Sequence, residues 1–460
     1  MKKLSGVLIA LASTAIAAAQ SGAGGGWTNL FDGKTLNGWN KITGSAEYKI
    51  ENGEIIGLTV PNSPNTFLVT DKEYGDFVLE LEVKVDDTTS NSGIQFRSHY
   101  NPEMADGHGG KGRVYGYQFE LDPSSRAWTG GVYDEARRDW LYPLSLNPAA
   151  QSAFKRNEYN KIRVECIGNN IRTWVNGTSC AYVVDTVDKK GFIALQVHAI
   201  PRPELAGEKI HWRNIRIKTT SLSPLPFAKG VYVADYIPNN LTSYEKSEGW
   251  KLLFDGKTTD GWKGAYKPGF PEKGWEIKNG TLTVLSSNGA ESTNGGDIVT
   301  KEEYSAFDLS FDFKLTPGAN SGVKYFVTLT EKNAGSAIGL EYQVLDDTLH
   351  PDAKLGRDGD RTLASLYDLI KADKQKRFIH QPGQWNTGRV VVLRNNHVVH
   401  YLNGVKVLEY DRGSPHFREL VAMSKYKVWK DFGEAPKGHI LLQDHGNEVS
   451  FRSIKIKPLK

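Results

Sequence analysis

The chain has 460 residues, 39% of them hydrophobic, and a formal net charge of +4. That length supplies two to four domains able to bury cores of their own, while so small and scattered a charge excludes a nucleic-acid footprint. Forty-seven glycines beside 20 tyrosines and 11 tryptophans suit a turn-rich β protein with aromatic surfaces.

The first element is a leader. Lys2 and Lys3 precede an apolar run from Val7 to Ala19, closed by the small residues Ala17, Ala18 and Ala19. This pattern predicts a secretory signal peptide over residues 1–19 and an exported protein, periplasmic or extracellular. The run is too short for a stable membrane anchor, and no other segment is long and apolar enough to span a bilayer. No cysteine follows it to carry a lipid.

Phe31-Asp32-Gly33-Lys34-Thr35 with Gly38-Trp39 comes next. Phe77 to Val85 then places Phe77, Leu79, Leu81, Val83 and Val85 on one face, the period of a half-buried antiparallel strand. After Asn91-Ser92-Gly93, the same period puts Gln95, Arg97 and His99 on one face, with Ile94 and Phe96 on the other. His108 among Gly107, Gly109 and Gly110 reads as a mobile loop. Gln118 and Glu120 share a strand face, as do Gln196 and His198. Between them, the loop from Tyr133 through Arg137 and Arg138 to Trp140 offers cations and aromatic plates of the kind that hold sugars, or else a salt-bridged surface loop.

Ile162 to Val175 reads as strand, turn, strand, the turn lying near Gly168-Asn169-Asn170. A simple hairpin there sets Cys166 opposite a residue near Arg172 and not opposite Cys180. A bond between these two cysteines is therefore disfavoured.

The pattern then repeats after roughly 220 residues. Phe254-Asp255-Gly256-Lys257-Thr258 with Gly261-Trp262, Asn320-Ser321-Gly322, Glu341-Tyr342-Gln343, Tyr401-Leu402-Asn403-Gly404, Leu442-Gln443-Asp444-His445 and Arg452 to Lys457 answer the earlier blocks in order. The predicted organisation is one module over 27–218, a proline-bearing linker over 219–247 and a second module over 248–460. Thr362 to Lys374 is the only helix-like stretch. In the second module the polar face holds Lys324, Glu341, Gln343, Gln443 and His445. Glu and Gln have changed places between the copies, which moves the carboxylate by about 6–7 Å along the strand. Asp346, Asp347, His350 and Asp352 form an oxygen-rich cluster suited either to a divalent cation such as Ca²⁺ or to capped turns. No zinc signature, nucleophile elbow, phosphate loop or dinucleotide fingerprint is present.

These blocks together resemble the 3-keto-disaccharide hydrolase family. The carrying residues are the Phe-Asp-Gly-Lys openings, the Asn-Ser-Gly strand starts, Gly339 to Asp347, His350-Pro351-Asp352, Leu366-Tyr367-Asp368, Trp385-Asn386, Tyr401 to Gly404 and Leu442 to Gly446. The resemblance implies an all-β fold of two tandem concanavalin A-like jelly-roll sandwiches. It also implies cleavage of 3-keto-glycosides by removal of the C2 proton, β-elimination of the C1 substituent and addition of water. On that chemistry Glu341 or His445 would be the base, Lys324 the cation near the enolate and Tyr367 the acid. Gln343, Gln443 and Asp346 would hold substrate in the second module, and Gln95, Arg97, Gln118, Glu120, Tyr133, Arg137, Arg138, Trp140, Gln196 and His198 in the first. An oxidoreductase that makes the 3-keto group is implied as a functional partner, since no motif here binds a redox cofactor. The alternatives are a lectin-like glycan-binding module and a conventional glycosidase. The second is disfavoured because each polar set offers one obvious carboxylate where two are needed.

Overall fold

The computed structural model of the chain describes residues 25–86, 90–333 and 336–459; the leader lies outside them. Each half is a sandwich of two antiparallel sheets. In the first, Phe77–Val85 runs between Asn160–Ile167 and Lys209–Lys218 at the centre of a nine-stranded back sheet. In the second, Phe307–Leu315 holds the same place between Trp385–Val392 and Val449–Pro458. The alternation seen in sequence is borne out: Phe77, Leu79, Leu81, Val83 and Val85 are all buried in the core between the sheets.

The front sheets carry the polar residues. The first sets Lys111–Leu121, Ser92–Ala105 and Phe192–Val197 side by side; the second sets Leu340–Leu345, Asn320–Val327 and His439–Leu442 in the same order. The Asn-Ser-Gly motif has a physical reason. A Cβ on Gly93 would lie 2.3 Å from the side chain of Gln118, and one on Gly322 would lie 2.3 Å from that of Glu341. Glycine here gives a long polar side chain room to lie across the neighbouring strand. Ser92 and Ser321 donate to the carbonyls of Gln196 and Gln443, fixing the third strand.

Three expectations change. Arg97 does not share a face with Gln95. A bulge falls between Phe96 and His99, and Arg97 takes a left-handed φ of 46°. Its side chain turns to the sandwich edge, donating to the carbonyls of Gly75 and Gly168 and to Asp76. Phe326 repeats the bulge at φ 56° and enters the core. The stretch 362–374 is irregular rather than helical, because Ala364 and Asp368 are left-handed; it pairs as a ragged edge strand instead. The longest helix among the described residues, Pro415–Met423, begins with Ser414 accepting from the Phe417 N–H and proline at its first turn, start signals that the sequence itself carries. Cys166 pairs with Ile171, and both cysteines are buried free thiols.

The segment between the sandwiches is packed. Ala234–Asp235 adds in parallel to the first back sheet, and Ser243–Ser247 is a short helix with a capping box. Lys455 of the second sandwich donates to Glu245 at 2.6 Å, both nearly fully buried. Phe378 of the second half joins the core of the first, its ring 5.9 Å from that of Trp128.

Candidate functional site

In the second module, Glu341 lies beside Gly322 with only 5% of its surface exposed. Lys324, directly across the ladder, brings its ammonium to 3.8 Å from Glu341 Oε2 and donates to Ser336 Oγ and the Ala337 carbonyl. The amide orientation that satisfies both ends of Gln343 has its nitrogen donating to Glu341 Oε1 at 3.1 Å and to the Ser321 carbonyl at 3.0 Å. Burial pushes the Glu341 carboxyl above the usual range; Lys324, Lys425 and His445 oppose that rise. These groups line one cavity of about 70 Å³ with Gln443, Tyr367 and His445. The Gln443 Oε1 is buried without a hydrogen-bond partner among the described residues.

Tyr367 donates its hydroxyl to Asp352 at 2.9 Å, and burial, with Glu341 and Asp352 nearby, drives its pKa up. The ragged strand positions it: Ala364 and Ser365 pair with the backbone of Gln343 as Gly130 and Gly131 pair with that of Glu120. Tyr367 therefore answers Tyr133 of the first module. Lys425, Tyr426 and Trp429 close the cavity. They belong to a segment over 412–438 that replaces a short turn in the first module, so no repeat signal marks them. Burial lowers the Lys425 pKa, and its ammonium sits 4.2 Å from the centre of the Tyr367 ring.

In the first module, Asn91 and Gln118 donate to the two oxygens of Glu120, both at 2.8 Å, and Gln95 donates to Gln118 at 2.6 Å. Burial raises the Glu120 pKa. Gln118 and Glu120 line an open cleft of about 470 Å³ with Tyr133, Trp140, His108 and His198. His198 Nδ1 donates to the Ala199 carbonyl at 2.6 Å, leaving Nε2 as the acceptor of a neutral ring whose pKa burial lowers. Gln95 and Gln196 are fully buried, the Gln196 amide without hydrogen-bond partners among the described residues. Glu135 was missed, although it lies two residues from Tyr133 on the same strand face. Burial pushes its carboxyl up to about 7, against Arg113 at 3.7 Å.

Several expected ligands are engaged elsewhere. Arg137 and Arg138 share Asp134 and reach Asp188 and Asp185, on the side away from this cleft. Asp346 caps a turn, accepting from the N–H groups of Gly318, Thr348 and Leu349. Asp347 accepts from the Leu363 N–H and pairs with Lys374; Asp352 pairs with Arg361. Among the described residues no group of three or more His, Cys, Asp or Glu is arranged to hold a metal ion. The acidic cluster is thus the capped-turn alternative. Nor is any described helix long and apolar enough to cross a membrane.

The family model of the 3-keto-alpha-glucoside-1,2-lyase-like domain matches residues 26–218 and again 249–457. A 3-keto-disaccharide hydrolase of Bacteroides thetaiotaomicron is 37% identical over 236 residues, covering 46% of this chain and 79% of that protein. A crystal structure of a candidate glycosyl hydrolase from Parabacteroides distasonis is 32% identical, covering 48% of this chain and all of that one, with a TM-score of 0.43. A carbohydrate-binding module from Bacillus subtilis aligns at 15% identity, covering 39% of this chain and 95% of that one, with a TM-score of 0.24.

Proposed function

Because the chain belongs to the 3-keto-alpha-glucoside-1,2-lyase-like domain family in both of its halves, we propose that it cleaves 3-keto-glycosides, 3-keto-disaccharides among them, and that the second module does the chemistry. The observation that carries this reading is the convergence of one buried carboxyl, two ammonium groups and a tyrosine on a single cavity. The relative from Bacteroides thetaiotaomicron, a 3-keto-disaccharide hydrolase by name, supports the substrate class.

A ketone at C3 acidifies the C2 proton, since the resulting carbanion is an enolate. Glu341 takes that proton, and the raised affinity of its carboxyl for protons suits the transfer. Lys324 and Lys425, which line the same cavity as Glu341, stabilise the negative charge that gathers on the C3 oxygen. The electron pair then expels the C1 substituent, whose oxygen receives a proton from Tyr367. That hydroxyl is held protonated and so is matched to a departing alkoxide. Water adds across the C1=C2 bond of the enone, hydroxyl to C1 and proton to C2, and the sum is hydrolysis. Gln343 and Gln443 orient hydroxyls, and His445 is the alternative base.

A second reading has an observation of its own. Glu120 and Glu135 face one open cleft in the first module, which supplies the carboxylate pair a conventional glycosidase needs. One assay separates the two. A glucoside and its 3-keto form are offered to the wild type, Glu341→Gln and Glu135→Gln. Turnover of the keto form alone, reduced at least a hundredfold by Glu341→Gln and left within threefold by Glu135→Gln, is expected. Hydrolysis of the plain glucoside, lost in Glu135→Gln, would reject the elimination route.

The leader read over residues 1–19 supports export. N-terminal sequencing of secreted protein should begin just after Ala19. The 3-keto substrate requires a separate sugar oxidoreductase acting upstream.

A further inference from the structure

We infer that the first-module cleft and the groove between the two sandwiches form one binding surface, built by both modules, for a neutral glycan chain longer than a disaccharide. This rests on the carbohydrate reading above but not on which module cleaves.

The junction is specific. The turn Lys376–Phe378 of the second module drives Phe378 into the first module's core. That anchor holds Arg377 at the wall of the first-module cleft. The Arg377 side chain is exposed and makes no hydrogen bond or ion pair among the described residues; its guanidinium carbon lies 4.6 Å from the centre of the Phe378 ring. A guanidinium whose donors have no partner among the described residues, carried on an anchored turn at the lip of a cleft belonging to another module, is placed to meet a ligand that spans the two.

Arg377 and Trp140 line both the cleft of about 470 Å³ and a groove of about 620 Å³ between the modules. The floor of that groove is the outer face of the second module's back sheet. There Arg452 lies 4.1 Å from the Trp385 ring and donates to Asp312 at 3.2 Å. On the opposite wall Tyr236 is 39% exposed, with the Arg138 guanidinium 5.6 Å from its ring. Rings to meet sugar C–H faces alternate with guanidinium and carboxylate groups to meet hydroxyls. Carboxylates offset the arginines on both sides of the junction, so the surface favours a neutral chain over an anionic one. Either cavity alone falls within the range that takes a compact ligand, about 300–1,000 Å³; together they exceed what a disaccharide can fill.

Isothermal titration of the full-length protein with unoxidised cello- and malto-oligosaccharides of two to five units tests this, with product analysis alongside. Affinity is expected to rise at least tenfold from disaccharide to tetrasaccharide in one series. Arg377→Ala and Tyr236→Ala should each remove most of that gain, with thermal unfolding unchanged and disaccharide affinity within threefold. Equal affinity for all lengths, absence of binding in both series, or a length gain that survives both substitutions would overturn the inference. The two readings fail separately: cleaved probe counts against the elimination route, and a missing length gain counts against the shared surface.

Discussion

Glu341 and Gln118 occupy one place on two copies of the same strand, each lying across a glycine that leaves it room. What separates the modules at this point is a carboxyl against an amide, and across the ladder Lys324 against Gln95. The glycines of the front sheet should therefore fail in two different ways. A methyl on Gly322 meets the far end of the Glu341 side chain, at 2.3 Å from Oε1, and the carboxyl can swing aside. Gly322→Ala is expected to cost about 1 kcal/mol of stability yet lower keto-sugar turnover at least tenfold. A methyl on Gly438 meets backbone, 2.4 Å from the Phe326 carbonyl carbon, inside the bulge. Gly438→Ala is expected to cost about 3 kcal/mol or more in a denaturant melt. Equal stability losses in the two variants would refute this account of the motif.

At the scale of the element, a period of two made the polar face legible where the strand is regular. Glu341 and Gln343, and likewise Gln118 and Glu120, share their faces as alternation requires, and both pairs reach a cavity. Legibility ended at Arg97 and Phe326, because a left-handed residue without glycine leaves no mark in a hydrophobic pattern. It ended again at 412–438, whose Lys425 and Trp429 have no partner copy for comparison. Thr362 to Lys374 misled because its spacing suits a helix while tertiary pairing to Gln343 and Glu341 imposes an edge strand. The strand His397–Leu402 carries a further consequence. His400 is buried, its Nδ1 donating to the Ala364 carbonyl and its Nε2 accepting from Tyr325, and burial lowers its pKa to about 4. The folded ring stays neutral where the unfolded chain, near 6.5, takes up a proton. Stability is thus fully present above about pH 6.5 and drains as pH falls towards 4, by up to about 3 kcal/mol. Chemical denaturation at pH 7 and pH 4.5 checks this: His400→Gln should be the less stable protein at pH 7, and the gap should narrow at pH 4.5.

For the molecule as a whole, the composition of 219–247 reads as a linker, and the structure shows that stretch packed against both sandwiches. Lys455 and Glu245 form a buried ion pair between the second sheet and the connecting helix, Tyr232 bonds Ser310 at 2.9 Å, and Ser145 donates to the Gly404 carbonyl at 2.8 Å. Polar contacts of this kind give register and modest energy; the apolar contribution comes from Phe378 and Trp250, set among first-module side chains, with Tyr401 and Val405 packed against that core. Truncating a buried phenylalanine costs about 3–5 kcal/mol, and here that loss falls on the coupling between halves and on neither core alone. Calorimetry of the wild type should show one cooperative unfolding transition, and Phe378→Ala should split it in two, with the first module melting earlier for want of the side chain that completes its core. Lys455→Met keeps the volume and removes the charge, leaving Glu245 buried without its partner, so added to Phe378→Ala it should lower the melting temperature of the second module's transition more than that of the first module's. Two transitions already present in the wild type would mean that the halves fold independently, and the Arg377 wall of the first cleft would then be a loose contact instead of a fixed one.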